Sequence, residues 1–190
     1  MESDSENKTA QICYGRAVGL NGAPKTANAL FGDLQQKYPN DYEVAINYIE
    51  SLLWAGKFKE AKPLYKDMVA KNPDKFGALL GYANTLSNLR EYETALNWVN
   101  KAIALQPDNE GAKISRKYIK LGYANEFVNA QNYGMGQQLL LEIFGDFPED
   151  KEALLNLANL QLITKETDSA KNTYRRYATS AKDSITAINE

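Results

Sequence analysis

Asparagine recurs in register along this chain. Asn84 closes the pentapeptide Leu80-Gly81-Tyr82-Ala83-Asn84, and Asn125 closes an identical copy, Leu121-Gly122-Tyr123-Ala124-Asn125. Asn159 closes a fainter one, Leu155-Asn156-Leu157-Ala158-Asn159. Two weaker copies, Ile12-Cys13-Tyr14-Gly15-Arg16 and Ile46-Asn47-Tyr48-Ile49-Glu50, place Arg16 and Glu50 at the same position. Three residues earlier the set reads Cys13, Asn47, Gly81, Gly122 and Asn156. Asparagine is a mediocre helix former, so three in register call for a reason. Its amide both donates and accepts, which matches the N–H and C=O of an extended peptide backbone. The same amides could instead bond one another or neighbouring helices as a structural ladder, since polar groups in a groove must find some partner.

The remaining reactive chemistry is sparse. Histidine is absent, which removes the commonest general base and the commonest imidazole metal ligand. Cys13, the single cysteine, sits in an apolar helical pattern with no base in view and cannot form an internal disulfide. Gly134-Met135-Gly136 lacks the preceding strand and the lysine of a phosphate loop. No catalytic residue, metal ligand or cofactor site is assigned, and the chain reads as a non-enzyme. Lys113, Arg116, Lys117 and Lys120 share one helix face and form the one charge cluster without local balance, a stripe suited to an acidic partner or a phosphate backbone, or simply a solvated face. Across the chain 22 basic and 24 acidic residues give a net charge of −2, so nothing global draws it to nucleic acid or anionic lipid.

These residues must be positioned by something periodic. Four of the five motif copies lead through a second apolar stretch to a proline, at Pro39, Pro73, Pro107 and Pro148, with successive spacings of 34, 34 and 41 residues. A fixed period in this range signals a solenoid whose units bury their apolar faces against neighbours. Each unit predicts two amphipathic helices, turning near Asn21, Ala55, Leu89, Ala130 and Lys165. In the second unit the stripe Ala45, Tyr48, Ile49, Leu52 faces Phe58, Ala61, Tyr65, Met68. Asn40 or Asp41 can cap the helix that follows. Pro63 falls inside the latter stripe, so that helix is expected to start late or to bend there. The seven extra residues of the fourth unit precede Leu121. Seven residues are two turns and rotate the apolar face by only about 20°, so one continuous helix from Glu110 to Asn129 is expected.

Two helices per 34 residues, small residues at Ala27, Ala61, Ala95 and Ala170, large ones four further on at Phe31, Tyr65, Val99 and Tyr174, and a closing proline together resemble the tetratricopeptide repeat family. The resemblance spans residues 8 to about 181. It implies an all-α, right-handed α-solenoid of about five helix-turn-helix repeats, with a disordered lead over 1–7, a single domain over 8–190, units at 8–41, 42–75, 76–109, 110–150 and 151–183, and a short tail. Departures from the family pattern are Gln11, Ala45 and Leu79 where it has a bulky residue, and Ile49 and Ala83 where it has glycine.

In that family the first helices line a concave groove that commonly holds an extended peptide. The resemblance therefore puts Asn47, Glu50, Asn84, Asn125, Asn156 and Asn159 in a candidate peptide-binding set, with Trp54 at the groove edge as a candidate hot spot. Gly77, Gly81, Gly111 and Gly122 would leave the groove shallow. Ile12, Ile46, Leu80, Leu121 and Leu155 stand where a carboxylate-gripping lysine would, so a clamp for a C-terminal carboxylate is not expected. The function expected is protein–protein interaction through a peptide or extended segment, without a small-molecule substrate. The alternatives are a scaffold module of a bacterial envelope or secretion assembly and, on the basic stripe alone, a nucleic-acid-binding solenoid. Tyr174 and Tyr177 in the last unit suggest self-association. No apolar run is long enough for membrane insertion. The polar, acidic start reads as cytoplasmic, or as periplasmic or exported if a signal peptide has been removed.

Overall fold

The computed structural model describes the backbone of residues 2–189 and the side chains of residues 7–181. The described chain is all α-helix, in the order α1 (Glu2–Leu20), α2 (Pro24–Lys37), α3 (Tyr42–Trp54), α4 (Phe58–Lys71), α5 (Phe76–Asn88), α6 (Tyr92–Leu105), α7 (Glu110–Asn129), α8 (Tyr133–Ile143), α9 (Lys151–Ile163) and α10 (Thr167–Asn189). These form five helix-turn-helix pairs. They fall into two compact units, one ending at Pro107 and holding α1–α6, the other beginning at Asp108 and holding α7–α10.

Every pair turns in the same way. The residue after each helix cap takes a left-handed conformation, at Gly22 (φ 85°), Gly56 (72°), Arg90 (63°), Gln131 (59°) and Lys165 (64°). In each case that residue and the next donate backwards into the helix, as in Gly56 N to Leu53 O and Lys57 N to Leu52 O, or Lys165 N to Leu162 O and Glu166 N to Gln161 O. This is the Schellman motif, which satisfies carbonyls the helix end leaves open. Three of the five pairs hold it with a side chain that prefers right-handed backbone, at a cost of about 1–2 kcal/mol each, against which glycine loses about 0.5–1 kcal/mol of chain entropy. Arg90→Gly, Gln131→Gly and Lys165→Gly are each expected to add up to about 1 kcal/mol, read as a rising denaturation midpoint; a uniform fall would overturn this account of the turns.

The packing follows the repeat. Ala27, Ala61, Ala95 and Ala170 are fully buried, which lets paired helices approach closely. Phe31, Tyr65 and Val99 are fully buried one turn later, whereas Tyr174 is half-buried. Glycines on the first helices make room for the large rings. A Cβ on Gly15 would lie 2.7 Å from Phe31 Cζ, one on Gly19 2.4 Å from Trp54 Cε3, and one on Gly81 2.3 Å from the Tyr65 hydroxyl.

Helix starts are set by side chains where the loop offers one. Asp41, rather than Asn40, accepts from Val44 N at 3.0 Å, and Asp150 from Ala153 N at 2.9 Å. Lys8 adds 2.6 Å to Asp41, and this hydrogen bond, with the one from Val44 N, holds the carboxyl below its ordinary range.

Three expectations are corrected. The lead over residues 2–7 is the first part of α1, and the backbone from Ser184 continues α10 to Asn189, although the side chains of 182–190 lie outside the described residues. Of the two alternatives for α4, the late start is ruled out, because the helix begins at Phe58 with Pro63 inside it, which leaves a bend at Pro63 as the accommodation expected. Pro63 is exposed, so water can take the carbonyl its missing N–H leaves open, while Ala61, Tyr65, Met68 and Val69 stay buried on the other side. The fourth pair is as the seven-residue argument requires: α7 has 20 residues where α3, α5 and α9 have 13.

Candidate functional site

In the unit ending at Pro107, two successive first helices bring their marked positions together. Arg16 on α1 donates through Nη1 to Asn47 Oδ1 at 3.0 Å and to Glu50 Oε2 at 3.5 Å on α3. Thirty-four residues separate Arg16 from Glu50, so one repeat of sequence becomes one step across a shared face. Asn47 is buried, and its Nδ2 donates to Glu43 O at 2.7 Å. Both halves of that amide are therefore spent inside the fold. Glu50 is half-buried, and burial pushes its pKa up while the Arg16 charge opposes the rise. Asn84 lies half-buried on α5, where its backbone carbonyl accepts from Asn88.

Two residues on this face do something other than the sequence suggests. Gly81 does not leave a hollow, because the Tyr65 ring from α4 occupies the space a side chain would take. Gly77 does leave one, with no atom within 4 Å of its would-be Cβ. Trp54 is half-buried, packed edge-on against Phe31 at 6.3 Å between ring centres and seated against Gly19. It ties α3 to α1 and α2. Trp98 plays a comparable part beside Tyr82 at 5.3 Å, with Lys101 over its ring.

In the unit beginning at Asp108, Asn125 on α7 and Asn159 on α9 are exposed and Asn156 is half-buried. Asn159 is engaged: its Oδ1 accepts from the Tyr174 hydroxyl of α10 at 2.5 Å. Leu155 and Leu162 flank it one turn on either side and are 38 % and 50 % exposed, so this stripe of α9 is apolar around a central amide.

The basic stripe is corrected. Lys113 pairs with Glu110 at 3.0 Å, Arg116 with Asp146 at 2.5 Å, Lys117 with Asp150 at 2.8 Å and Lys120 with Glu142 at 3.0 Å. Burial alone would lower the Lys117 pKa, but its bond to Asp150 holds it above the ordinary value. Glu110 lies one turn before Lys113 on α7 itself, but Asp146 and Asp150 come from 30 and 33 residues downstream and Glu142 from α8, which is why a count along one helix reads the stripe as unbalanced. The two added turns of α7 are thus pinned to α8 and the α8–α9 loop rather than offering free cations. Among the described residues, no three His, Cys, Asp or Glu side chains are placed to hold a metal, and no helix is long and apolar enough to cross a membrane.

Sequence reasoning set Arg16 in register but left it out of the candidate site, and the structure makes it the link between α1 and α3. The signal was its spacing of one full repeat from Glu50 with opposite charge.

Residues 52–117 match the family model described as tetratricopeptide repeat. Among solved structures, MamA from residue 41 to its end, from Desulfovibrio magneticus RS-1, gives a TM-score of 0.72 at 14% identity and covers 93% of this chain and 96% of that one. MamA MSR-1 C2 gives 0.69 at 14% identity, covering 94% and 98%. A tetratricopeptide repeat protein from Parabacteroides merdae gives 0.64 at 14% identity, covering 92% and 65%. At these identities the likeness is one of fold. No curated protein matches the sequence.

Proposed function

We propose that this chain, a protein of tetratricopeptide-repeat fold, is a protein-interaction module whose first helices take a peptide or an extended segment of a partner. Repeats of this kind are generally non-catalytic interaction modules. The observation that carries the reading is the contact of Arg16 with Asn47 and Glu50 across α1 and α3, because it puts equivalent positions of successive repeats on one face. The paired cations of α7 take away the basis of a nucleic-acid reading.

Within the asparagine set the structure supports a division of labour. Asn47 and Asn159 are spent on Arg16, Glu43 and Tyr174, which is the ladder reading. Asn84, Asn125 and Asn156 enter none of these bonds and are the amides proposed to read a backbone, with Glu50 as an additional acceptor.

Asn84→Ala in the one unit and Asn125→Ala with Asn156→Ala in the other, tested separately, should each weaken binding of a partner identified by cross-linking, by about 2- to 12-fold per lost bond at about 0.5–1.5 kcal/mol. The melting temperature should hardly move, since alanine is the better helix former. Asn47→Ala should behave in the opposite way, lowering the melting temperature because Arg16 loses the nearer of its two acceptors. A variant of either unit that binds the partner normally would remove its amides from the site.

A further inference from the structure

We infer, resting on the interaction role just proposed, that Glu50 receives the guanidinium of an arginine in the partner's segment, with the Asn84 amide as its second acceptor. Glu50 is short of partners. Its Oε2 meets Arg16 Nη1 at 3.5 Å, the outer limit of a hydrogen bond, while the same Nη1 lies 3.0 Å from Asn47 Oδ1. An ionised carboxylate offers about four acceptor sites. The Glu50 Oε1 has no partner among the described residues, the side chain is 31 % exposed, and that oxygen is open to solvent. Burial pushes the Glu50 pKa up, and Arg16, itself 49 % exposed, does not cancel the rise. The titratable groups facing it are Arg16 from α1, the Tyr42 phenol of α3 and the buried Tyr65 phenol of α4. From α5 come Gly77, Gly81 and Asn84, none of which titrates. Ionised, Glu50 is thus a carboxylate partly stripped of water, with one distant counter-charge.

The surroundings select the occupant. Glu50 and Asn84 are equivalent positions one repeat apart, and α3 packs on α5. The Tyr65 hydroxyl marks the seam between them, filling the space beside Gly81 and lying within electrostatic reach of Glu50. One turn after Gly81, the half-buried Asn84 makes no side-chain bond among the described residues. Gly77, one turn before Gly81, leaves open space beside α5 for the methylenes of a long side chain. Glu43, exposed two turns before Glu50, puts a second negative charge on this face, so Arg16 is outnumbered and an anion is disfavoured. A backbone N–H would bring no charge to answer the carboxylate. A guanidinium presents five N–H donors in a planar fork and can meet Glu50 Oε1 and Asn84 Oδ1 at once, whereas an ammonium is a compact point charge. The guanidinium is also the more weakly hydrated of the two, which suits a carboxylate already half withdrawn from water.

Carbon-13 at the glutamate carboxyls reads the site directly, with the Glu50 signal assigned by Glu50→Gln. Its titration midpoint is followed at fixed ionic strength with N-acetyl-Ala-Ala-Arg-Ala-Ala-amide, with the lysine peptide, and with the citrulline peptide, which keeps the shape of arginine without its charge. The arginine peptide should bind the ionised carboxylate roughly tenfold more tightly than the protonated one, lowering the midpoint by about one pH unit at saturation. The lysine peptide should move it less and the citrulline peptide not at all. Glu50→Gln should weaken the arginine peptide by a similar factor at neutral pH without lowering the melting temperature. The sign follows from the raised pKa: stability is gained as pH falls through the folded pKa toward the ordinary carboxylate value, so above it the charged form is the less stable one, and glutamine avoids it. A purely structural pair with Arg16 predicts a lower melting temperature instead. A midpoint unmoved by millimolar arginine peptide overturns the inference. Equal shifts from arginine and lysine overturn it too, making the carboxylate a general attractor of cations. A cross-linked partner weakened by Asn84→Ala while the midpoint stays put sinks the arginine and leaves the interaction role standing. A midpoint that moves as expected while that partner ignores Asn84→Ala upholds the arginine at Glu50 and removes the amide from partner recognition.

Discussion

Gly81→Ala is expected to destabilise the protein by about 2 kcal/mol, although alanine is the better helix former by about 1 kcal/mol. The added methyl would lie 2.3 Å from the Tyr65 hydroxyl, 2.5 Å from its Cζ and 2.7 Å from its Cε1. Tyr65 is fully buried on α4, so the ring has no solvent to move into, and overpacking a tight site costs about 1–3 kcal/mol or somewhat more. For a chain of this size the melting temperature should fall by roughly 4–8 °C. Gly77→Ala is the control, since no atom lies within 4 Å of its would-be Cβ, and it should be neutral or stabilising by up to about 1 kcal/mol. In a Tyr65→Leu background the Gly81→Ala penalty should largely vanish. If it persists there, the glycine is required for something other than the ring.

That glycine shows where the sequence was legible and where it was not. Periodicity located all five turns, the 20-residue α7 and the buried small–large pairs, because each depends on residues within one or two repeats and on a pattern that survives averaging. The left-handed residue of each turn was legible at Gly22 and Gly56. It was hidden at Arg90, Gln131 and Lys165, where backbone hydrogen bonds rather than residue type impose the conformation. The reading of Gly81 as empty groove failed because the filling ring comes from α4, 16 residues earlier, and no local pattern says which way that ring points. The basic stripe failed for the same reason in reverse: three of its four acids lie off α7, distant in sequence and near in space. Within the candidate site the shared face was legible at Arg16 and Glu50 from their spacing. The spending of Asn47 and Asn159 on neighbours was not, since an amide in register looks the same whether or not it is engaged.

Pro63→Ala should stabilise the protein by about 2 kcal/mol and raise the melting temperature by roughly 4–8 °C. α4 starts at Phe58, so Pro63 is well past the first turn, where a proline lacks the N–H that would bond the carbonyl four residues back and its ring crowds that carbonyl. An interior proline costs about 3 kcal/mol relative to alanine. Against this, proline restricts the unfolded chain, which returns about 0.4–1 kcal/mol to the native protein. Pro63 is exposed, so its removal opens no cavity and loses little packing. The same substitution at Pro24 should have the opposite sign. Pro24 is the first residue of α2, where no helical N–H is forfeited and the fixed φ suits the helix, so Pro24→Ala should cost up to about 1 kcal/mol. The pair separates helix position from any general effect of proline. Should Pro63→Ala leave the melting temperature unchanged while Pro24→Ala lowers it, the proline would be supplying a bend in α4 that the packing of Tyr65 and Met68 requires. The strain now assigned to it would then be part of how the second and third helix pairs fit together.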